Sequence, residues 1–190
     1  MRSEDRPDVV ATEPPHLGAG DGPIEIVAYD SSWPTSYVAE RERLSAVLPG
    51  IPIHHIGSTA VSGLAGKAVI DMIALVDDLD ASSTAVIQRA GYQLPVRFNT
   101  DLVHRRFLCY PTASFRTHHL HLVDEPDGLD RCLRFRDSLR ADPTLAADYV
   151  ELKRALAARF REDRVGYTKA KSRFINGAHS QTAVSDPPRQ

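Results

Sequence analysis

The 190-residue chain has only two cysteines, Cys109 and Cys132, and a single tryptophan. Two thiols in apolar segments cannot make a disulfide framework, so they read as reduced core residues of a cytoplasmic protein. Their number and spacing also exclude a cysteine-type zinc site. No apolar run approaches the length of a bilayer span, and the first residues lack the hydrophobic centre of a secretion signal. No membrane role is therefore expected. A net charge of −2 argues against a protein that coats nucleic acid, because no excess of cations is present to neutralise phosphates. No internal repeat divides the chain. With 42% hydrophobic residues, one good core and one domain are the default, and no oligomeric state follows.

Residues 1–23 are rich in Pro, Gly, Asp and Glu and cannot bury enough surface to offset their ordering entropy, so a flexible tail is expected there. The domain is expected over 24–176, with a second polar tail over 177–190. Residues 24–29 (IEIVAY) alternate as a first strand, and Pro34 opens a helix reaching about Leu48. Ser82 or Ser83 is expected to cap a helix ending at Gly91, and 92–98 to form a strand. RRFLCY (105–110) and HHLHLV (118–123) suggest an antiparallel pair. Helices follow from Gly128, with Asp142-Pro143 ending one and starting the next. Strands in the middle and helices at the end indicate an α+β domain, helices packed on a mixed sheet with a helical C-terminal part.

The stretch 54–76, HHIGSTAVSGLAGKAVIDMIALV, carries the chemistry. A strand ends at Ile56, Gly57-Ser58 turns, a loop holds Gly63 and Gly66, and a second strand over 68–76 is apolar except for Asp71. A carboxylate inside such a run is costly to bury without a cation or hydrogen-bond donor. The turn offers N–H groups, the Ser58 and Thr59 hydroxyls and the nearby Lys67 ammonium, which suit phosphate oxygens. A phosphate cradle near a lone buried acid suggests a metal–nucleotide site. Alternatively, Gly57-Ser58 is only a tight turn, Lys67 lays its stem on apolar surface, and Asp71 is bonded to backbone N–H groups. Of eight histidines, His55, His118, His119 and His121 lie in short apolar strands, and His119 and His121 share one face.

The string HIGSTAVSGLAGK..ID resembles the signature of the GrpB family, a branch of the nucleotidyltransferase superfamily. The resemblance extends over about 24–175, through VAYDSSWPTSY, LRFRDSLRADP, YVELKRALAARF and YTKAKSRFI. It implies a nucleotidyltransferase-like fold and a metal-dependent enzyme acting on an NTP and a small-molecule acceptor. Gly57 and Ser58 would then hold the triphosphate, and Asp71 would be the first metal-binding carboxylate. The superfamily's Asp-x-Asp is broken, because Ile73 stands where the second acid is expected. His121 occupies the place of a third acid on a later strand. A converging His55, Asp71 and His121 set is therefore expected to bind a divalent ion or to act as general base. Mg²⁺ or Mn²⁺ is the expected cofactor, with Zn²⁺ or Fe²⁺ as imidazole-tolerant alternatives. Arg136 and Lys171 match family positions and are candidate phosphate contacts, while Arg140, Lys153, Tyr167 and Lys169 match without an assigned role. An intrahelical ion-pair lattice around Asp137 is the competing explanation for the arginines. In this family related domains are fused to dephospho-coenzyme A kinase, so a catalytically degenerate nucleotide- or metabolite-binding module is the alternative function.

Overall fold

The computed structural model describes residues 17–182, with backbone alone for residues 173 and 176–182. Five strands make one mixed sheet: β1 (Ala19–Gly20), β2 (His54–Ile56), β3 (Ile70–Leu75), β4 (Arg105–Pro111) and β5 (Phe115–Val123). β5 is central. It runs parallel to β3 on one side and antiparallel to β4 on the other, while β2 pairs antiparallel with β3 and β1 with the first residues of β5. This is the α+β architecture expected.

Alternation along the strands gives the sheet two unlike faces. Ile70, Met72 and Ala74 of β3 and Leu120 and Leu122 of β5 point one way and are fully buried. They pack beneath α1 (Trp33–Ser45) and α2 (Leu79–Ala90), through Trp33, Leu44, Leu79 and Val86. The opposite face carries Asp71, Ile73, His119 and His121. It is partly covered by α4 (Pro126–Ala141), where Leu129, Cys132 and Leu133 pack against Ile73 and Val123. A short α3 (Val96–Asn99) precedes β4, and α5 (Pro143–Arg159) and α6 (Arg164–Thr182) complete the helical part. Asp142 caps α5 as expected, accepting from the N–H groups of Thr144 and Leu145, with Pro143 in the first turn.

Several boundaries differ from expectation. Residues 1–16 of the expected N-terminal tail lie outside the described residues, but 17–23 are not a tail. Ala19 and Gly20 pair with Arg116 and Phe115, and Asp21 accepts from the Arg116 guanidinium at 2.8 Å. Backbone pairing needs no apolar side chains, so composition cannot reveal it. Residues 24–29 form no strand; Val27 bridges Gly66, and the Ile24 N–H donates to the Arg161 carbonyl. The 92–98 segment likewise reduces to a Gln93–Cys109 bridge followed by α3. Asp78 caps α2 instead of Ser82 or Ser83, while the buried Ser83 donates to the Leu79 carbonyl. α6 continues through 177 to Thr182, and 183–190 lie outside the described residues.

Candidate anion and carboxylate site

Gly57 leaves β2 with φ 71° and ψ −168°, a region that L side chains avoid. A Cβ here would lie 2.7 Å from Asp71 Oδ2, so the turn rests directly on the carboxylate. Ser58 follows in a 3-10 turn over Ser58–Ala60. Gly66 is forced for another reason: a Cβ there would stand 2.5 Å from the Ser58 Cβ. The expected meeting of the Gly57-Ser58 turn with Asp71 is therefore present.

The imidazole that pairs with Asp71 is His119. The parallel register sets Asp71 opposite His119 and Ile73 opposite His121. His119 Nδ1 lies 2.8 Å from Asp71 Oδ1, whereas His121 Nε2 is 3.9 Å away. Burial pushes the Asp71 carboxyl up, but the hydrogen bond from His119 and the neighbouring His121 prevail and hold it well below the usual carboxylate range. Its side chain is nevertheless 32% exposed, enough to meet a ligand. Burial outweighs Asp71 at His119 and lowers its pKa, so a neutral His119 donates Nδ1–H and its Nε2 has no partner among the described residues. His121 is pushed down to about 3, by burial and then by Arg105. Arg105 Nε–H donates to His121 Nδ1 at 3.2 Å, which fixes the proton of the neutral ring on Nε2. His121 thus turns an N–H, not a lone pair, toward Asp71.

His55 does not join this group. It pairs with Met72, one residue out of step with Asp71, and so belongs to the opposite face. Its ring stacks on Tyr37 at 4.5 Å and its Nε2 shares a hydrogen bond with Thr59 Oγ1 at 2.9 Å. Burial lowers its pKa to about 4. Thr59 is 1% exposed, and its hydroxyl lies between His55 Nε2 and, at 3.5 Å, the Val69 carbonyl. Arg136 donates to the His55 carbonyl at 3.0 Å and to both Asp137 oxygens, and Arg140 donates to the Ala60 carbonyl at 2.7 Å. The two arginines clamp the back of the turn. Ile73, fully buried under α4, takes the second-acid position as an apolar contact.

Three lysines gather opposite the turn. Lys67, held down to about 8 by burial and then by the Lys171 charge, sits 5.0 Å over the Tyr167 ring, and Lys171 approaches the same ring at 5.9 Å. Lys153 on α5 is 2% exposed; its Nζ lies 2.8 Å from Ser58 Oγ and also meets the Ala65 carbonyl. Burial, then the charges of Lys171 and Arg154, lowers Lys153 to about 7. The Asp71 charge reaches Lys67, Tyr149 and Tyr167, so these groups lie near the carboxylate. A separate cavity of about 870 Å³, lined by Tyr29, Tyr37, His55, Thr59 and Arg140, lies behind the turn and does not include Asp71.

The GrpB protein family matches residues 23–181. This chain belongs to the GrpB family. It is 38% identical over 163 residues to a UPF0157 protein of Pseudomonas aeruginosa, covering 83% of this chain and 66% of that one. A UPF0157 protein of Bacillus subtilis is 34% identical over 158 residues, covering 82% and 46%. The chain therefore spans between about half and two thirds of these relatives. The crystal structure of the conserved protein GrpB from Enterococcus faecalis matches with a TM-score of 0.66 and 28% identity, covering 81% of this chain and 99% of that one.

Proposed function

We propose that this member of the GrpB family is a metal-dependent nucleotidyltransferase-like enzyme, moving a nucleotidyl group from an NTP to a small-molecule acceptor. The observation that carries this reading is the seat of the Gly57-Ser58 turn on the Asp71 carboxylate, with Lys67, Lys153 and Lys171 facing it. A charged acid beside a hydroxyl and the ammonium groups of Lys67 and Lys171 suits a polyphosphate that arrives with a cation.

The donor set decides which cation fits. Zn²⁺ or Fe²⁺ would need several imidazole or thiolate ligands, but His121 presents N–H to Asp71 and the unpartnered imidazole lone pair beside Asp71, His119 Nε2, is buried. Among the described residues, no group of three or more His, Cys, Asp or Glu side chains is arranged to hold an ion. Asp71 Oδ2, free of both histidines and next to Gly57, fits one oxygen ligand of Mg²⁺ or Mn²⁺, completed by phosphate oxygens and water. Such an ion would neutralise the triphosphate charge and ease departure of pyrophosphate. His119 and His121 keep Asp71 ionised and oriented, and Ser58 with Lys67 and Lys171 holds the anion.

The alternative, a nucleotide- or metabolite-binding module without turnover, draws support from the loss of the second acid at Ile73. Incubation with each NTP, Mg²⁺ or Mn²⁺ and a pool of metabolites separates the two. Pyrophosphate release that is lost in Ser58→Ala and Asp71→Ala is the expected result. Binding without release favours the module, and neither binding nor release overturns both.

A further inference from the structure

We infer that Ser58 and Lys153 form a nucleophile–base pair, and that Ser58 itself takes up the nucleotidyl group before passing it to the acceptor. The inference rests on the nucleotide reading of this turn and adds to it a covalent step. Its geometric basis is the 2.8 Å contact between Lys153 Nζ and Ser58 Oγ. Lys153 reaches this serine from α5, 95 residues away in sequence, and is almost wholly buried on arrival.

A buried ammonium ordinarily needs a carboxylate. Lys153 has none among the described residues; its polar contacts are Ser58 Oγ and the Ala65 carbonyl. The Tyr149 ring, 4.6 Å from Nζ, favours the charged form, whereas burial and the charges of Lys171 on α6 and Arg154 on its own helix favour the neutral one. As an ammonium Lys153 donates to both Ser58 Oγ and the Ala65 carbonyl; once it has lost a proton, an N–H can stay on the Ala65 carbonyl while the nitrogen lone pair accepts the Ser58 hydroxyl proton. A desolvated lysine beside a serine is the arrangement that activates a hydroxyl without histidine. Ser58 is partly exposed, and the tight approach of Gly66 confines its side chain, with a hypothetical Gly66 Cβ only 2.5 Å from the Ser58 Cβ.

In the first step the Ser58 Oγ–Pα bond forms and the bond from Pα to the bridging oxygen breaks. The electron pair leaves with pyrophosphate, and the hydroxyl proton passes to Lys153 Nζ. In the second step the acceptor oxygen or nitrogen attacks Pα and sheds its own proton to solvent. The Ser58 oxygen leaves and recovers its proton from the Lys153 ammonium.

The test is to incubate the full chain with NTP and Mg²⁺ but no acceptor, then read intact mass and map the modified peptide. One nucleotidyl group on Ser58, with pyrophosphate released in equal amount, is expected. Its formation should rise with pH to a plateau with a midpoint near 7, and Lys153→Arg, which keeps a cation but no base, should slow it ~10²–10⁴-fold. Thermal melts confirm that the variant is folded, and Lys153→Met serves as a second, uncharged variant. Nucleotide binding and transfer with no adduct, and with full activity in Lys153→Arg, overturns the pair while leaving the nucleotide reading intact. If no nucleotide binds, a nucleotide-free fluorophosphonate probe decides. Capture at Ser58 that is lost in both lysine variants supports the pair, and no capture overturns it.

Discussion

The two faces of the sheet are built from the same strands, one residue out of step, and they have opposite characters. Toward α1 and α2 stand Ile70, Met72, Ala74, Leu108, Leu120 and Leu122, all without solvent contact. Toward the helical part stand Asp71, His119, His121 and Phe107, with Arg105 beside them and the carboxylate partly open. The first face fixes the backbone; the second uses that fixed backbone to hold an acid against two imidazoles, one hydrogen-bonded at 2.8 Å and one at 3.9 Å. Stability and chemistry thus separate by side of the sheet. Substitutions on one face should move the melting curve, and those on the other should move ligand binding and turnover.

The largest stability effect belongs to the apolar face. Leu120→Ala empties a fully buried position in β5 and should cost ~2–5 kcal/mol in denaturant unfolding, because transfer and cavity terms add. On the other face Asp71→Asn keeps the shape and removes the charge. Pyrophosphate release should fall ~10²–10³-fold while the unfolding midpoint moves far less. Equal stability losses from the two variants would erase the distinction between the faces.

Much of this division was legible in the sequence. The continuous apolar run of 68–76 singled out Asp71 as its one polar residue, and the glycine turn ahead of it was visible as a turn. The shared face of His119 and His121 was also legible, but which of them meets Asp71 depends on the register of the parallel β3–β5 pair. That pair joins residues 48 apart, and no local pattern encodes the offset. His55 was misplaced for the same reason, since a one-residue slip in strand pairing reverses the face. Lys153 left a readable signal: it falls on the stripe that runs through Tyr149 and Leu156, so burial of a lysine was foreseeable from spacing. Its serine partner was not, because α5 reaches the turn only through tertiary packing. The β1 pairing left no signal at all, being made by two small residues through their backbones.

Acidification probes both faces in one experiment. His55, on the apolar side, is pushed down to about 4, and His121, on the polar side, to about 3, each mainly by burial. Below the ordinary histidine value near 6.5 the unfolded chain takes up protons that the folded chain refuses. Stability should therefore fall as pH drops from about 6.5 toward 4, with His55 contributing ~3 kcal/mol at the low end. Melts of the wild type and of His55→Gln over this range should show a shallower slope in the variant. Gly57→Ala is a smaller perturbation, at ~1–3 kcal/mol of backbone strain. Its new Cβ would also press on Asp71 Oδ2 at 2.7 Å, so NTP affinity measured by calorimetry should fall together with stability.

The smallest effect is expected at the rim, and it tests the placement of Arg136. The Asp137 carboxylate is half exposed and bridges Arg136 and Arg140. Exposed pairs of this kind are worth under about 1 kcal/mol, so Asp137→Ala should barely shift the unfolding midpoint. Arg136 would keep its bond to the His55 carbonyl, 3.0 Å away, and remain behind the turn. NTP affinity should then be unchanged in Asp137→Ala. If the variant instead bound NTP several-fold more tightly, Asp137 would have been restraining a phosphate-seeking arginine. The cation set of the site would then have to include α4 as well as α5, α6 and the loop that carries Lys67.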